Sequence, residues 1–338
     1  MGFLRWIQRQ GRKPRRRDDQ ELVALTARVT ALNPRLRLVS HYEKRLAPRL
    51  ATALEAIRAT VSALPAPREA SEAAWASDPH IHAYFGTPAD VARAFSRSPD
   101  LREFFDRTPL AEHAYAVLGM AMNERRTLGV GLEGGVMRSD VPQTLVSFSD
   151  YQLRICAESD AELRAEIVLR MLDQLAIEAV AQFAAGKGRR DTLERELALL
   201  RAQLKLYERQ GMGLRSMVGG ETADPAAVQA VRDEIAHNDS ELAALGHGGD
   251  TLERQLECLG EVLGDAANRL HVERRRIRLS QVNVMLPADS TVPGVDLELL
   301  CAHVPGDPPL VRWFSIVRYA RADMLSQATL LDEAARML

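Results

Sequence analysis

The sequence predicts an α-rich α+β protein in which a long antiparallel coiled-coil hairpin is inserted between the strands of a small base. Three observations predict this fold. Apolar residues recur with 4-3-4-3 spacing from Leu193 to Tyr207 and again from Val228 to Leu270, which is the seam spacing of a coiled coil. The two runs pair at a constant residue-number sum of 435, as antiparallel helices require. Segments with strand-like alternation precede and follow them.

This register assigns each seam residue a partner. The predicted pairs are Leu204 with Val231, Leu200 with Ile235, Leu193 with Leu242, Phe183 with Leu252, Ala179 with Leu256, and Leu172 with Leu263. Asn238 takes a seam position opposite Leu197, where a buried amide fixes the register at some cost in stability. Pairing within one chain and pairing between two chains both satisfy the register, so the sequence is also compatible with a homodimer.

Four regions follow from these patterns. They are a basic leader (1–18), a helical region (19–126), a strand-containing base that ends in a helix (127–157 with 273–338), and the hairpin arm (158–272). In the helical region, Thr87, Ser98 and Thr108 each precede a proline, which marks helix starts. The helix after Thr108 is predicted to reach about Glu124.

The base is predicted to contain one sheet built from both sides of the arm. The predicted strands are 127–132, 143–149 and 151–157 before the arm, and 275–286, 295–303 and 310–320 after it, followed by a helix over 323–338. Ser159 and Glu162 form a capping box that starts the long helix.

Composition and charge limit the classes of function. The chain carries a formal charge of −2, but residues 1–17 hold seven basic residues and no acid, so the remaining residues carry −9. An acidic body disfavours nucleic acid as a partner. Cys156, Cys258 and Cys301 show no paired spacing, which indicates reduced thiols in the cytoplasm. No stretch approaches the roughly 20 apolar residues that span a bilayer, and no apolar run typical of a secretion signal is present.

The basic leader predicts either a membrane contact or a disordered, solvated segment. Wound as a helix, its first ten residues place Phe3, Trp6 and Ile7 on one face. A basic run follows, made of Arg12, Lys13, Arg15, Arg16 and Arg17. Apolar residues beside such a run suit an anionic membrane interface, so peripheral membrane association is one predicted role.

The tip of the arm, residues 211–223 (GMGLRSMVGGETA), is the predicted site of partner binding. Met212, Leu214, Met217 and Val218 lie there among four glycines. Flexible, methionine-containing apolar segments adapt to the surface of a protein partner. The alternative is a loop whose apolar side chains fold back on the last helical turns.

Glycines at the same position along both helices of the predicted arm predict a hinge. Gly186 and Gly188 lie in the ascending helix, and Gly248 and Gly249 lie in the descending one. Gly186 and Gly249 sum to 435, so the two clusters face each other. Each glycine inside a helix costs about 1 kcal/mol relative to alanine.

No motif predicts a cofactor or a specific reaction. Residues 129–136 (GVGLEGGV) match a kinase glycine loop in letters only, because no lysine strand, His-Arg-Asp or Asp-Phe-Gly accompanies them. His80, His82, Glu112 and His113 could assemble an enzyme or metal site after folding, but they lack the spacing of zinc ligands. The favoured function is therefore a non-enzymatic scaffold or adaptor, with a peripheral membrane protein and an enzyme or metal-binding protein at residues 78–113 as alternatives.

Overall fold

The computed structural model describes residues 15–133, 136–210, 225–244, 251–304 and 309–329. The helices are α1 (Arg15–Val29), α2 (Tyr42–Ser62), α3 (Glu72–Ser77), α4 (Pro79–Tyr84), α5 (Pro88–Ser96), α6 (Pro99–Arg107), α7 (Asp160–Gln210), α8 (Pro225–Ala244), α9 (Thr251–Gly264) and α10 (Ala266–Arg269). The strands are β1 (Arg68–Glu69), β2 (His113–Glu133), β3 (Val136–Ala157), β4 (His271–Leu279), β5 (Met285–Leu286), β6 (Val295–Val304) and β7 (Leu310–Ala320). This order confirms an α+β fold with a long helix inserted between strands.

Two compact units divide the described chain. The first contains residues 52–172 and 265–329, and the second contains residues 15–51 and 173–264. The helices α2 and α7 each contribute residues to both units.

The first unit is built on one mostly antiparallel sheet. Its strand order is β3-β2-β7-β6-β4-β5, and β1 pairs in parallel with β7. The strands β2 and β3 precede α7 in the chain, whereas β4 to β7 follow it. The sheet is therefore assembled from both sides of the inserted helices, as the sequence predicted.

One face of this sheet packs against the short helices. Alternate residues of β2 are fully buried on this face, namely Ala114, Ala116, Leu118 and Met120. They share a core with Phe95 of α5 and Phe104 of α6. Capping fixes the helices that supply these rings: the Ser98 hydroxyl accepts a hydrogen bond from the Leu101 N–H, and Pro99 occupies the first turn.

The predicted helix from Thr108 to about Glu124 is wrong, because β2 begins at His113. Residues 114–120 alternate between buried and half-buried, which is the period of a strand. The buried positions include two alanines, while the bulkier Tyr115 and Val117 are only half-buried. Because small residues occupy part of the core face, the alternation of large apolar and polar residues is weak in the sequence. The run therefore also fits a helical spacing.

The three strands predicted between residues 127 and 157 are in fact parts of two long ones. Residues 121–133 of β2 continue beyond the part that pairs with β7 and remain paired with β3. Shifts of register interrupt the β2–β3 ladder at several points, one of them between the pairs Tyr115–Ala157 and Val117–Arg154. Ile155 lies in this bulge with φ 58°, a conformation that is unusual for a β-branched residue.

The sheet curves until β3 meets the segment before β5. Leu145 forms a bridge with Val284, and the Val146 N–H donates to the Asn283 carbonyl at 2.9 Å. Asn283 has φ 56°, which asparagine tolerates better than most residues, and its Nδ2 donates to the carbonyl of Ala83 in α4. This asparagine therefore ties the far edge of the sheet to both β3 and α4.

Helix α7 begins where the capping box predicted. The Ser159 hydroxyl accepts a hydrogen bond from the Glu162 N–H at 3.3 Å. One turn later, Arg164 donates to the carbonyls of Val61, Leu64 and Pro65 at 2.7, 3.2 and 2.7 Å. These bonds use carbonyls at and beyond the end of α2, where the helix itself leaves acceptors without partners.

Two further helix boundaries differ from the predictions. The apolar spacing predicts a helix from about Leu36 to Leu64. This helix begins instead at Tyr42, because residues 34–38 form a separate 3₁₀ turn. The helix expected over 323–338 is replaced at its start by a 3₁₀ turn (Arg321–Asp323), whereas residues 327–329 are helical. The rest of that predicted helix lies outside the described residues.

Candidate functional site

In residues 187–205 of α7 and 226–244 of α8, buried side chains are confined to predicted seam positions. Within residues 187–205 and 226–244, the buried residues are Leu193, Leu197, Val231 and Asn238. The other predicted seam residues of these ranges are half-buried, namely Leu200, Leu204, Val228, Ile235 and Leu242. A seam this narrow is what two paired helices can cover between them.

Ion pairs between α7 and α8 agree with the predicted register. Arg189 donates to Glu241 at 2.9 Å, and Arg201 donates to Asp239 at 2.9 Å. The residue numbers of the two pairs sum to 430 and 440, which lie equally far below and above the predicted sum of 435. Both pairs are exposed, so each adds little to the stability of the helix pair.

Asn238, which the predicted register places in the seam, is buried. It is 8 % exposed. A polar group in this position is costly to bury and therefore disfavours alternative registers in which it would face other apolar residues.

N-terminal residues form part of the same unit as α9, which the sequence did not predict. Asn33 Nδ2 donates to Gln255 Oε1 at 2.6 Å, and Arg45 pairs with Glu253. On α7, Asp173 accepts two hydrogen bonds at 2.7 Å from the guanidinium of Arg28. These contacts join residues that are 145 to 222 positions apart in the chain.

The predicted hinge glycines are only partly described. Helix α7 runs without interruption through Gly186 and Gly188, whereas Gly248 and Gly249 lie outside the described residues. A Cβ atom added at Gly186 or Gly188 would meet nothing within 4 Å. The bending of the arm at this height stays a prediction.

Replacing Gly186 and Gly188 by alanine is expected to stabilise α7 by about 1 kcal/mol for each substitution. The added methyl groups meet open space, so only the gain in helix propensity remains. Thermal melting followed by circular dichroism measures the change. Gly264→Ala is the control, because that glycine also faces open space but ends α9. An unchanged or lower melting temperature in the double variant would contradict the prediction.

The remaining predicted contact residues are not described. The tip residues Met212, Leu214, Met217 and Val218 lie outside the described residues, as do those of the leader up to Pro14. Arg15, Arg16 and Arg17 begin α1. Among the helices that the structure describes, none combines the length and apolar character needed to cross a bilayer.

The structure does not bring the four residues of the proposed metal or enzyme site together. His80 Nε2 lies 3.2 Å from both Arg68 Nη2 and the Glu298 carbonyl. His82 lies between the carbonyls of Trp75 and Gln281, at 3.3 and 3.0 Å. The described residues contain no group of three side chains placed to hold a metal ion. Both imidazoles lie within hydrogen-bond distance of backbone carbonyls.

The remaining two residues of that set, Glu112 and His113, lie at the start of β2. The Glu112 carbonyl accepts the Arg321 N–H at 2.8 Å, and His113 pairs with Ala320. The backbone of both residues is thus paired with residues at and just after the end of β7.

Asp78 caps α4 and joins it to β1. Its carboxylate accepts the N–H of His80 at 2.8 Å and a hydrogen bond from Arg68 at 2.9 Å. Burial acts against the ionised form, but the hydrogen bonds from His80 and Arg68 outweigh it and lower the pKa of Asp78 below its usual range.

Replacing Asp78 by alanine is expected to cost about 1–2 kcal/mol at pH 7. The pKa of Asp78 is lower in the folded than in the unfolded chain. Its contribution is therefore fully present above the unfolded value of about 3.9 and is lost as the pH falls below it. Urea unfolding at pH 7 and pH 3, followed by Trp75 fluorescence, compares the two conditions. Asp78→Asn keeps a helix cap without the charge and should lose less. An equal cost of the alanine variant at both pH values would contradict the assignment.

Cys156 and Cys301 are poor nucleophiles. Burial, and then the charge of Asp100, raise the pKa of Cys156 to about 12. Burial also raises the pKa of Cys301. The Cys258 thiol donates a weak hydrogen bond to the Ala179 carbonyl at 3.5 Å, which links α9 to α7.

A cleft of about 540 Å³ lies among α6, the end of β3 and the start of α7. Cys156 lines it together with several carboxylates. Asp100 pairs with Arg154 and Glu166 pairs with Arg170, both at 2.9 Å. These three lining groups are thus a protonated thiol and two paired carboxylates, which gives them no activated nucleophile or base.

The sequence matches no protein-family model, and no curated protein and no solved structure matches it.

Proposed function

We propose that the protein is a non-enzymatic scaffold or adaptor. In this proposal, α7 and α8 form an antiparallel coiled-coil arm that presents residues 211–223 to a protein partner. The observation that supports it is the single seam along these helices, in which Leu193 and Leu197 are buried and the flanking surface is exposed. A helix pair without a core of its own encloses no substrate, and it suits the presentation of a contact surface.

The charge along the arm indicates how a partner would be recognised. Arg189 and Arg201 are already engaged by Glu241 and Asp239. Mutually compensated charges offer little electrostatic attraction to a partner. Recognition is therefore assigned to the apolar residues of the tip, above all Met217, whose unbranched side chain adapts to irregular surfaces.

This proposal places the protein in the cytoplasm. Its cysteines form no disulfide among the described residues, and reduced thiols are typical of that compartment. The partner would then be another cytoplasmic protein or a protein domain that faces the cytoplasm.

Capture by a photo-crosslinking residue at Met217, in the full chain and in living cells, tests the proposal. We expect one dominant protein to be captured. Changing Met212, Leu214, Met217 and Val218 together to serine should abolish co-purification of that protein and leave the helical content unchanged. Leu199→Ser is the matched control, because Leu199 is an apolar residue of α7 that is 71 % exposed.

Two outcomes would overturn the proposal. If the quadruple serine variant retains its partner, the tip is not the contact surface. If Met217 captures lipid alone, the role moves to membrane association, and deletion of residues 1–17 should then release the protein from anionic vesicles in a salt-dependent way.

A further inference from the structure

Beyond Met120, strand β2 leaves β7 and continues to Glu133 paired with β3 alone. We call this part of the two strands the β-ribbon; it joins residues 121–133 of β2 to residues 136–149 of β3. Every residue from Asn123 to Leu128 is exposed, so neither face of β2 is buried there. A ribbon of two strands is marginally stable in water unless further strands or a packed face support it.

The outer edge of β2 in the β-ribbon is open and regular. Among the strands that the structure describes, only β3 pairs with residues 121–133. At the register shift between Gly129 and Gly131 the extra residue lies on β3, because β2 advances by two residues there and β3 by three. β2 contains no proline, so each of its outward N–H groups can donate to a further strand.

Residues 127–133 of this edge lack the features that prevent edge pairing. Proteins protect exposed edges with prolines, bulges and charged side chains. The sequence of this segment, TLGVGLE, carries no charge before Glu133. An exposed and regular strand edge of this kind can pair with another strand.

The same segment is symmetric in sequence, which indicates a second copy of the chain as the partner. Residues 128–132 read LGVGL in both directions. If two copies pair in antiparallel fashion about Val130, each leucine lies opposite a leucine and each glycine opposite a glycine. Glu133 then lies opposite Thr127 and diagonally across from Arg125, a separation that long side chains of opposite charge can bridge. No like charges are opposed in this register.

We propose that two copies of the protein associate through residues 127–133 of β2. The two β-ribbons then overlap in a four-stranded antiparallel sheet, with a two-fold axis at Val130. Both copies use the same surface, as in most homodimers. This interface is independent of the arm and of the proposed function.

Sedimentation velocity of the full chain tests the interface. We expect a species with twice the 37.5 kDa mass of one chain. Val130→Lys places two lysines directly opposite each other, so it should weaken the dimer at least about tenfold. Val130→Glu should do the same. An equal mixture of the two variants should recover the dimer, because a lysine then faces a glutamate.

A matched control lies on the other strand of the β-ribbon. Ser139 of β3 is exposed and does not belong to the open edge of β2. Ser139→Lys adds the same charge to the ribbon and should leave the dimer unchanged. As an independent readout, peptides that cover residues 127–133 should exchange their amide hydrogens more slowly in the native chain than in the Val130→Lys variant.

Three results would each overturn the proposal. The first is a native chain that sediments as a monomer at every concentration. The second is a dimer that Val130→Lys leaves intact, which would place the interface elsewhere, for example in the arm. The third is a mixture of the lysine and glutamate variants that stays monomeric.

Discussion

Replacing Leu197 by alanine is expected to speed amide hydrogen exchange in the paired parts of α7 and α8 roughly thirtyfold, which corresponds to about 2 kcal/mol. Leu197 is only 2 % exposed, and the predicted register places it opposite Asn238. Removal of its side chain leaves α7 and α8 with few other buried contacts near Leu197. Exchange measured by mass spectrometry on peptides from both helices reports the change.

Leu199 supplies the matched control for this experiment. It lies two residues along the same helix and is 71 % exposed. Leu199→Ala should change stability by no more than about 0.5 kcal/mol. If both variants exchange alike, or if only the peptides of α7 respond, then the two helices are not paired along this seam.

Replacing Phe95 by alanine is expected to lower the free energy of unfolding of the first unit by about 3–5 kcal/mol. Phe95 is fully buried, and its ring stacks on Tyr319 of β7 with centroids 4.5 Å apart. The truncation would leave a cavity between α5 and the sheet. Trp75 and Trp313 pack against the same core, so their fluorescence follows its unfolding in urea.

Leu110→Ala is the control for this loss, because Leu110 is 95 % exposed. Its effect should stay within about 0.5 kcal/mol. A cost below about 1 kcal/mol for Phe95→Ala would mean that α5 is not an integral part of the core.

The sequence predicts the inserted helices because their pattern is local. The capping residues of α7 and the seam positions Leu193 and Leu197 can be recognised within a few turns. Among the strands after the insertion, β6 and β7 lie within about one residue of their predicted bounds. The strand predicted over 275–286 was wrong, because it is divided into β4 (His271–Leu279) and β5 (Met285–Leu286).

The association of residues 15–51 with α9 could not be predicted in this way. It depends on polar contacts such as Asn33 with Gln255 and Arg28 with Asp173, which join distant parts of the chain. Nothing in the spacing of these residues distinguishes them from solvated ones. Likewise, the first part of β2, up to about Glu124, fits a helical spacing because small residues, Ala114 and Ala116, occupy two of its core-facing positions.

The neighbouring histidines of β4 and β6 escaped prediction for a related reason. His271 and His303 are 32 positions apart, and only the register of β4 with β6 makes them neighbours. By contrast, His80 and His82 are close in sequence, but the structure engages each with different carbonyl groups. Proximity along the chain was therefore a poor guide to which imidazoles could act together.

The pairing of β2 with β7 has a consequence for the synthesis of the protein. Met120 pairs with Trp313, so about 190 residues separate the two partners along the chain. A ribosome that adds roughly 5–20 residues per second makes β7 about 10–40 s after β2. During this interval one edge of β2 has only water for its backbone groups, or another nascent chain. The speed of translation through the inserted helices thus decides how long the incomplete sheet is exposed to aggregation.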